Sequence, residues 1–550
     1  MNSETRPCQN CKQNFVIETE DFAFYEKIKV PPPTWCPECR LIRRLAFWPF
    51  GKFHKRQCDL TGENIISIYP PKTRFPVYKN ANWYSDKWEP PIMEYDPGRP
   101  FMDQMYELQT KTPRPHLYGT NNVNCDYSDD VWESKNCYLC RSLMLCEDLS
   151  YSYRVVRCRD SFDLFYCYDA EQSYDCIYCF NVYKVRHARN TRDSYESAFL
   201  YDCRNVRNCF MCWNLRNKEY HILNKPYTKE GYFEKLKEYY TGSQSQFLAI
   251  AQEFEDKIKN EAIHKVTMNV KTVNSSGNYM TDCKNCKNCY FLETSEDCSY
   301  VHRGAKNKDS QDLTGMWGGN LCYEICQLMD GGYRLVYSNY CTNCRNSEYL
   351  DFCVDCEYCF GCVGLRKKKF CVLNKQYSEE EYGRIVGKIK DAMKKNGTYG
   401  LFFPQKMATC GYNLSLAGIL FPKIKEAVSE AGGEWEELEK KDPEGAEIAP
   451  FTDDIKGVGD GIIYKGLRCE ESGRVFNITK VELAYLRAHD IPLPRFYPDI
   501  RVMRRMQKLF YITPRPIQCF LCGKEIPSYY PPEWGYKKIA CEACYQKEVV

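Results

Sequence analysis

Four cysteine pairs near the two ends of this chain have the spacing of metal ligands. Each pair is a CxxC motif, and two such pairs lie close together in sequence at each end of the chain. A CxxC turn presents two sulfurs to one point, so two such turns complete a tetrahedral shell of thiolates. The sequence therefore predicts two Zn²⁺ sites, with the ligands Cys8, Cys11, Cys36 and Cys39, and Cys519, Cys522, Cys541 and Cys544.

These two sites are expected to be structural. A catalytic zinc ion needs an open coordination position and a polarising neighbour, and a set of four cysteines offers neither. The metal would instead stabilise a small module that has little hydrophobic core of its own.

The two ends are copies of one module, about 80 residues long, that has been duplicated within the chain. A shift of 461 residues places Cys8 on Cys469 and Cys58 on Cys519 without a gap. Each copy keeps one complete site and one cysteine of the other. The missing ligands are replaced by Thr61, Asn80 and Trp83 in the N-terminal copy, and by Ser472, Tyr497 and Ile500 in the C-terminal copy.

Arginines that follow the second CxxC position in both copies predict a nucleic-acid surface, because basic groups beside zinc sites are common phosphate contacts. Their retention in the C-terminal copy, which has lost the adjacent ligands, indicates a role besides metal binding. A structural alternative stays open, in which the arginine stems pack on aromatic rings and the guanidinium groups reach carboxylates. The candidates are Arg40, Arg43, Arg44, Arg501, Arg504 and Arg505.

Regularly spaced cysteines predict a β-solenoid in the middle of the chain. Strand-sized stretches rich in Tyr and Val lie between them, and a fixed short period of this kind is typical of stacked coils. We expect the thiols to point inward as small hydrophobic groups, with additional metal between coils as the alternative. Two interleaved series have a 21-residue period: Cys125, Cys146 and Cys167, and Cys137, Cys158 and Cys179.

The solenoid is itself duplicated, with each block followed by a helix. A shift of 150 residues places Cys209–Cys212 on Cys359–Cys362. A capping box predicts a helix start at Ser378. A longer amphipathic stretch is expected to begin after Thr228 and to extend through residue 254.

The predicted fold is therefore mainly β with α elements, an α+β multi-domain chain with a duplicated parallel β-solenoid (β-helix) between small zinc-ribbon or treble-clef-like modules. The expected segments are an N-terminal zinc module (1–100), a first solenoid block (116–227), a helical cap or insert (228–276), a second block (277–377), a helical cap (378–400), an extension with an acidic linker (401–462) and a C-terminal zinc module (463–550).

The composition favours a cytoplasmic protein with reduced thiols. The 35 cysteines are odd in number, so they cannot all pair as internal disulfides. The first residues are polar and carry no apolar export signal, and no long apolar run predicts a membrane span. The net charge is only +3, so any nucleic-acid contact must depend on a local patch.

The order of these motifs resembles a family of cysteine-rich proteins, with zinc ribbons and repeats, from small-genome uncultured bacteria. The resemblance is carried by CQNCKQNF, PPPTWCPECRLIRRLAF, NLRNKEYHILNKPYTKEGYFEKL and RCEESGRVFNITK, and it covers nearly the whole chain. It implies two intact zinc sites per terminal module, from which this chain departs at Thr61, Asn80 and Trp83. The family is uncharacterised, and the resemblance implies no activity.

The sequence predicts a non-catalytic zinc-binding scaffold whose partner is a nucleic acid or nucleoprotein, with no membrane contact. One alternative is a scaffold for protein assembly. The other is an enzyme, either of thiol-redox type or acting on polysaccharides as many β-helices do. The chain lacks the sequence motifs of the common nucleophile, phosphate-loop and dinucleotide sites, which favours the binding functions.

Overall fold

The chain forms two compact units, each built from two separate stretches of sequence. The computed structural model describes residues 2–50, 52–328, 330–437, 445, 447–509 and 512–550. Unit 1 comprises Met1–His116 and Thr267–Glu437, and unit 2 comprises Leu117–Val266 and Leu438–Val550. Each unit therefore combines one terminal module with one cysteine-rich block, and the N-terminal module belongs with the second block.

The cysteine-rich block of unit 2 is one twelve-stranded sheet whose strands pair in parallel, apart from the closing strand Lys225–Pro226, which is antiparallel. This parallel β-helix-like arrangement agrees with the predicted solenoid. The parallel strands are Asp129–Trp132, Arg141–Met144, Glu147–Ser150, Tyr153–Val156, Arg159–Phe162, Tyr168–Glu171, Tyr174–Ile177, Phe180–Arg189, Arg192–Tyr201, Arg204–Trp213 and Arg216–Ile222.

Each coil contains twelve residues, so the predicted 21-residue period is wrong. Phe180 pairs with Arg192, Arg192 with Arg204, and Arg204 with Arg216, each step being twelve residues. The 21-residue spacing of the cysteines is one coil plus nine residues. Cys125 and Cys137 therefore occupy equivalent positions in neighbouring coils, whereas Cys125 and Cys146 do not.

The underlying repeat is three residues long. Every third residue along the block has a positive φ, as at Asp160, Asp163 and Asp169, and turns the chain at a corner. Asn and Asp occupy many of these corners because they tolerate the left-handed conformation better than most residues. The side chains at every third position point inward, so each coil has four short sides. The resulting core includes Cys137, Cys140, Leu143, Cys146 and Leu149.

A truncation at an inward position should destabilise the coil far more than the same truncation outside. Leu149 is 0% exposed and lies in the coil interior, whereas Leu145 is 48% exposed at a corner. Leu149→Ala is expected to lower the free energy of unfolding by about 2–5 kcal/mol through the cavity it leaves. Leu145→Ala should change it by less than about 0.5 kcal/mol. Urea unfolding measures both, and equal effects would contradict the inward and outward assignment.

The second block, in unit 1, repeats this architecture with one extra residue in a coil. Leu328 pairs with Cys341 and Gly319 with Gly332, which are thirteen residues apart instead of twelve. Its strands are Gly277–Thr281, Cys289–Glu293, Glu296–Ser299, His302–Ala305, Lys308–Trp317, Gly319–Asn320, Tyr323–Leu328, Gly332–Cys341, Arg345–Glu348, Glu357–Phe360, Lys369–Val372 and the antiparallel Lys375–Gln376.

A helix packs on the last coil of each block, as predicted. In unit 1 the helix Glu379–Lys395 begins at Ser378 with the expected capping box, and Tyr382 contacts Phe370. In unit 2 the predicted single stretch after Thr228 is two helices, Lys229–Leu236 and Gln244–Glu261. The two helices are separated by residues 237–243. Ser243 caps the second helix, because its hydroxyl accepts a hydrogen bond from the N–H of Gln246.

The extension after the second block has little regular structure. It contains two short helices, Leu416–Leu420 and Lys425–Glu430, and the 3₁₀ turns Gln405–Met407 and Tyr412–Leu414. Part of the predicted acidic linker, at 438–444 and 446, lies outside the described residues.

The two terminal modules have matching elements at the shift that aligns Cys8 with Cys469, as the sequence predicts. The hairpin His54–Gln57 and Asn64–Ser67 corresponds residue for residue to Arg515–Gln518 and Glu525–Ser528. The remaining N-terminal elements are the strands Glu4–Pro7, Asn14–Ile17, Val77–Tyr78 and Arg114–Pro115 and the helices Thr19–Ile28, Pro37–Leu45, Asn80–Trp83 and Phe101–Lys111. The C-terminal module adds the strands Leu467–Arg468, Val475–Phe476 and Ile539–Ala540, and the last of these pairs with His264–Lys265. Its helices are Lys480–Ala488, Pro498–Gln507 and Glu542–Val549. The 3₁₀ turns in this part of the chain are Ile455–Gly457, Asp460–Tyr464 and Pro532–Trp534.

Candidate metal centres

The eight predicted ligands form two groups of four thiols, one in each unit. In each group all four Sγ atoms lie within 4.8 Å of one another. Ligands 2.3 Å from one tetrahedral metal ion lie about 3.8 Å apart, so the four sulfurs are close enough to share an ion. Among the described residues, no other set of three or more Cys, His, Asp or Glu meets this distance criterion.

In unit 1 the site is formed by a hairpin tip and the start of a helix. Cys8 and Cys11 lie in the turn after the strand Glu4–Pro7, Cys36 is the N-cap of the helix Pro37–Leu45, and Cys39 lies in its first turn. Proline at the first helical position fixes the backbone angle that a helix start requires. The Sγ atoms of Cys11 and Cys36 are 3.8 Å apart.

The site in unit 2 has the same construction. Cys519 and Cys522 occupy a hairpin turn, Cys541 is the N-cap of the helix Glu542–Val549, and Cys544 follows within that helix. The Sγ atoms of Cys522 and Cys541 are 3.9 Å apart. Both groups are therefore built from a hairpin turn and the start of a helix. The N-terminal copy of the module keeps the first of its two sites, and the C-terminal copy keeps the second.

Backbone N–H groups stabilise the first sulfur of each complete site. The N–H of Cys36 donates to Sγ of Cys8 at 3.2 Å, and the N–H of Cys541 donates to Sγ of Cys519 at 3.3 Å. Burial raises the pKa of these thiols, but the backbone donors outweigh it and lower the pKa, that of Cys519 to about 6. A lowered pKa favours the thiolate, which is the form that binds metal.

The two incomplete sites keep this backbone arrangement without the ligand set. Cys58 and Cys469 occupy the same hairpin position, and hydrogen bonds again outweigh burial and lower their thiol pKa. The fourth residue after the first cysteine has a positive φ in all four hairpins, which favours glycine; these residues are Lys12, Gly62, Gly473 and Gly523.

Five of the six predicted arginines are buried in ion pairs inside their own unit. In unit 1, Arg40 and Arg44 lie 2.8 and 3.1 Å from the carboxylate of Asp312, and Arg43 and Arg44 both contact Glu324. Asp312 and Glu324 occupy the same position in successive coils. The helix Pro37–Leu45 is thus fixed to two coils of the solenoid.

Unit 2 repeats this contact with different carboxylates. Arg501 donates to Asp163 at 3.1 Å and to Glu482 at 2.9 Å, and Arg505 contacts Asp163 and Asp175. Asp163 and Asp175 again lie twelve residues apart, in successive coils.

These contacts match the structural alternative left open by the sequence. Arg43 lies over the ring of Trp35 at 4.4 Å and Arg501 over the ring of Tyr151 at 4.3 Å. Their guanidinium groups are engaged by buried carboxylates and are not presented to a phosphate backbone. Of the six candidates only Arg504 is exposed, with 49% of its side chain accessible and a surface pair to Glu471.

Many of the thiols inside the solenoids behave as small neutral groups. Sγ of Cys146, for example, lies 3.3 Å from the carbonyl oxygen of Met144 and 3.5 Å from that of Val155, and burial raises the pKa of this thiol to about 11. Burial raises the pKa of the Cys322 thiol to about 12, which keeps it protonated. The repeated CxxC motifs of the blocks arise because every third residue points inward. Sequence reasoning missed this rule, although the inward Ser, Val and Leu residues between the cysteines carry the same period.

Comparisons with known proteins do not assign the chain to a family. A scan against models of protein families finds no match, and a search of curated proteins finds no significant relative. Within the described part of the chain, no helix combines the length and apolar character needed to cross a membrane. The family resemblance drawn from the motifs stays a prediction.

Proposed function

We propose that this chain is a non-catalytic scaffold in which two structural Zn²⁺ ions stabilise zinc-ribbon or treble-clef-like modules, and whose solenoid faces bind a macromolecular partner. The supporting observation is the pair of closed four-thiol shells, one per unit. A four-sulfur set is typical of Zn²⁺ or iron, and four protein ligands leave no position for a substrate.

A protein is the partner that the surface charges favour. The arginines that supported a nucleic-acid partner are, except for the exposed Arg504, buried against carboxylates of their own unit. One exposed row in each solenoid also alternates in charge along successive coils. Lys135, Glu147 and Arg159 form one such row, with Glu147 3.1 Å from Lys135 and 3.7 Å from Arg159. A row that neutralises itself offers little attraction to a polyanion.

The partner class can be tested by binding to nucleic acid and by recovery from the native host. We expect labelled RNA and single-stranded DNA to bind weakly or not at all. We also expect proteins recovered with the tagged chain to stay bound after nuclease treatment. Affinity for RNA or DNA that falls by about 10³-fold or more between about 50 and 200 mM salt would contradict this proposal and restore the nucleic-acid hypothesis.

A further inference from the structure

Unit 2 contains a cleft of about 900 Å³ between its solenoid, the helix Gln244–Glu261 and the arginine-bearing helix Pro498–Gln507. This volume lies within the range of about 300–1,000 Å³ that small-molecule sites occupy. The cleft lies away from the four metal ligands of this unit, none of which lines it.

One wall of the cleft is aromatic. Phe199 of the solenoid and Phe247 of the helix lie 6.0 Å apart between ring centroids, and the His187 ring stacks on Phe199 at 4.8 Å. The His187 ring is fixed by its Nδ1, which is 3.0 Å from a carboxylate oxygen of Asp175. Phe199 is only 3% exposed, so the accessible apolar surface of this wall comes from Phe247 and the exposed Leu248, which can receive one face of a flat apolar group.

The segment 495–508 makes one side of the cleft cationic. It supplies five of the six Arg and Lys residues that line the cleft, whose lining also includes three Asp and Glu residues. Arg504 lies over the ring of Phe496 at 3.6 Å, and Arg495 lies over Phe451 at 4.3 Å, so stacking orients both guanidinium groups. Stacked arginines lose less conformational freedom when they bind an anion.

Each of these cations has a carboxylate partner, but the pairs of Arg495 and Arg504 involve exposed carboxylates and that of Lys508 is long. Glu255 is shared by Arg189 at 2.6 Å and Lys508 at 3.6 Å, so Lys508 has only a long contact. Arg505 is buried, and its Nη1 has no hydrogen-bond partner among the described residues.

The duplicated module of unit 1 does not repeat this chemistry at the matching positions. The alignment of the two copies places Lys508 on Phe47, which packs against Phe402, and Arg504 on Arg43, which contacts buried Glu324. The cationic side of the cleft is therefore a property of the C-terminal copy and is not required by the module fold.

We propose that this cleft binds a small organic anion that carries a flat aromatic group. The anionic group would contact Arg504 and Lys508, and the ring would pack along Phe247 and Leu248. The site is independent of the proposed scaffold function, since neither the metal ions nor a macromolecular partner takes part in it.

The test is calorimetric titration of the full, metal-loaded chain with naphthalene-2-sulfonate. We expect one site per chain, and weaker binding of neutral naphthalene-2-methanol and of methanesulfonate, which lack the charge and the ring respectively. Arg504→Gln and Lys508→Gln should each weaken binding of the sulfonate by about tenfold to one-hundredfold, because each removes a charged hydrogen-bond donor. Both side chains are about half exposed, so these variants should fold normally.

Two further variants separate the site from general charge effects. Ala251→Phe places a ring in the cleft without changing its charge and should abolish binding. Lys480→Gln, at an exposed cation outside the cleft, should leave the affinity unchanged. The proposal is overturned by no binding of the sulfonate, by equal affinity for the neutral analogue, or by unchanged affinity in Arg504→Gln and Lys508→Gln together.

Discussion

Replacing Cys36 by Ser should reduce the zinc content from two ions per chain to one and unfold the N-terminal module. Structural zinc in small modules contributes about 10–16 kcal/mol of binding free energy at neutral pH, most of which is folding free energy. Cys541→Ser should have the same effect on the C-terminal module. Elemental analysis gives the metal content, and hydrogen exchange resolved by mass spectrometry shows which module opens.

The chain supplies its own controls for this experiment. Cys58 and Cys469 occupy the same hairpin position as Cys8 and Cys519 but lack the other three ligands. Cys58→Ser and Cys469→Ser should therefore leave two zinc ions bound and both modules protected from exchange. If the protein purified without chelator holds no zinc, or if Cys36→Ser retains two ions, the assignment of the ligands fails.

The second large effect is expected at the carboxylate that two buried arginines share. Asp163 is 0% exposed and contacts both Arg501 and Arg505. Asp163→Asn leaves two desolvated guanidinium groups with only Glu482 and Asp175 to balance them. Removing one partner of a buried ion pair costs about 3–5 kcal/mol, so we expect a loss of this size in the stability of unit 2. Urea unfolding combined with hydrogen exchange measures it.

A surface pair between Arg504 of the same helix and Glu471 of a turn provides the comparison. Arg504 and Glu471 are each 49% exposed, and such pairs contribute about 0–1 kcal/mol. Glu471→Gln should therefore have little effect on unfolding. A small loss for Asp163→Asn, comparable to that of Glu471→Gln, would show that the buried network does not hold the helix to the solenoid.

Local spacing was enough to predict the two clusters of four thiols and the overall class of the middle region. A CxxC motif is a short-range feature, so the four that lie outside the repeats identify the eight thiols without knowledge of the fold. The coil length was missed because cysteine occupies only some inward positions. In the ladder that contains Cys140, the equivalent residues of later coils are Ser152, Leu164 and Cys176, so a pattern read from cysteines alone gives the wrong period.

The partners of the arginines could not be predicted because they are distant in sequence. Asp163 and Arg501 lie at positions 338 apart in the chain, and Arg40 and Asp312 at positions 272 apart. In the structure the retained arginines, apart from the exposed Arg504, lie in buried ion pairs with carboxylates of the solenoids. The twelve-residue coil was not predicted. It places Asp163 beside Asp175, and Asp312 beside Glu324, on one face of each solenoid.

Because each side of a coil is three residues long, the inward positions of a block recur at every third residue and keep one phase along the chain. An insertion or deletion of one residue would exchange every buried side chain downstream for an exposed one unless the chain absorbs it locally. The thirteen-residue coil of the second block accommodates one such extra residue. Its inward positions change phase between Leu328 and Leu335, and Gly331 and Gly332 lie within that stretch. An insertion of three residues preserves this phase, and an insertion of twelve residues also preserves the register between coils. Duplication of whole coils is therefore the route by which such a block can lengthen.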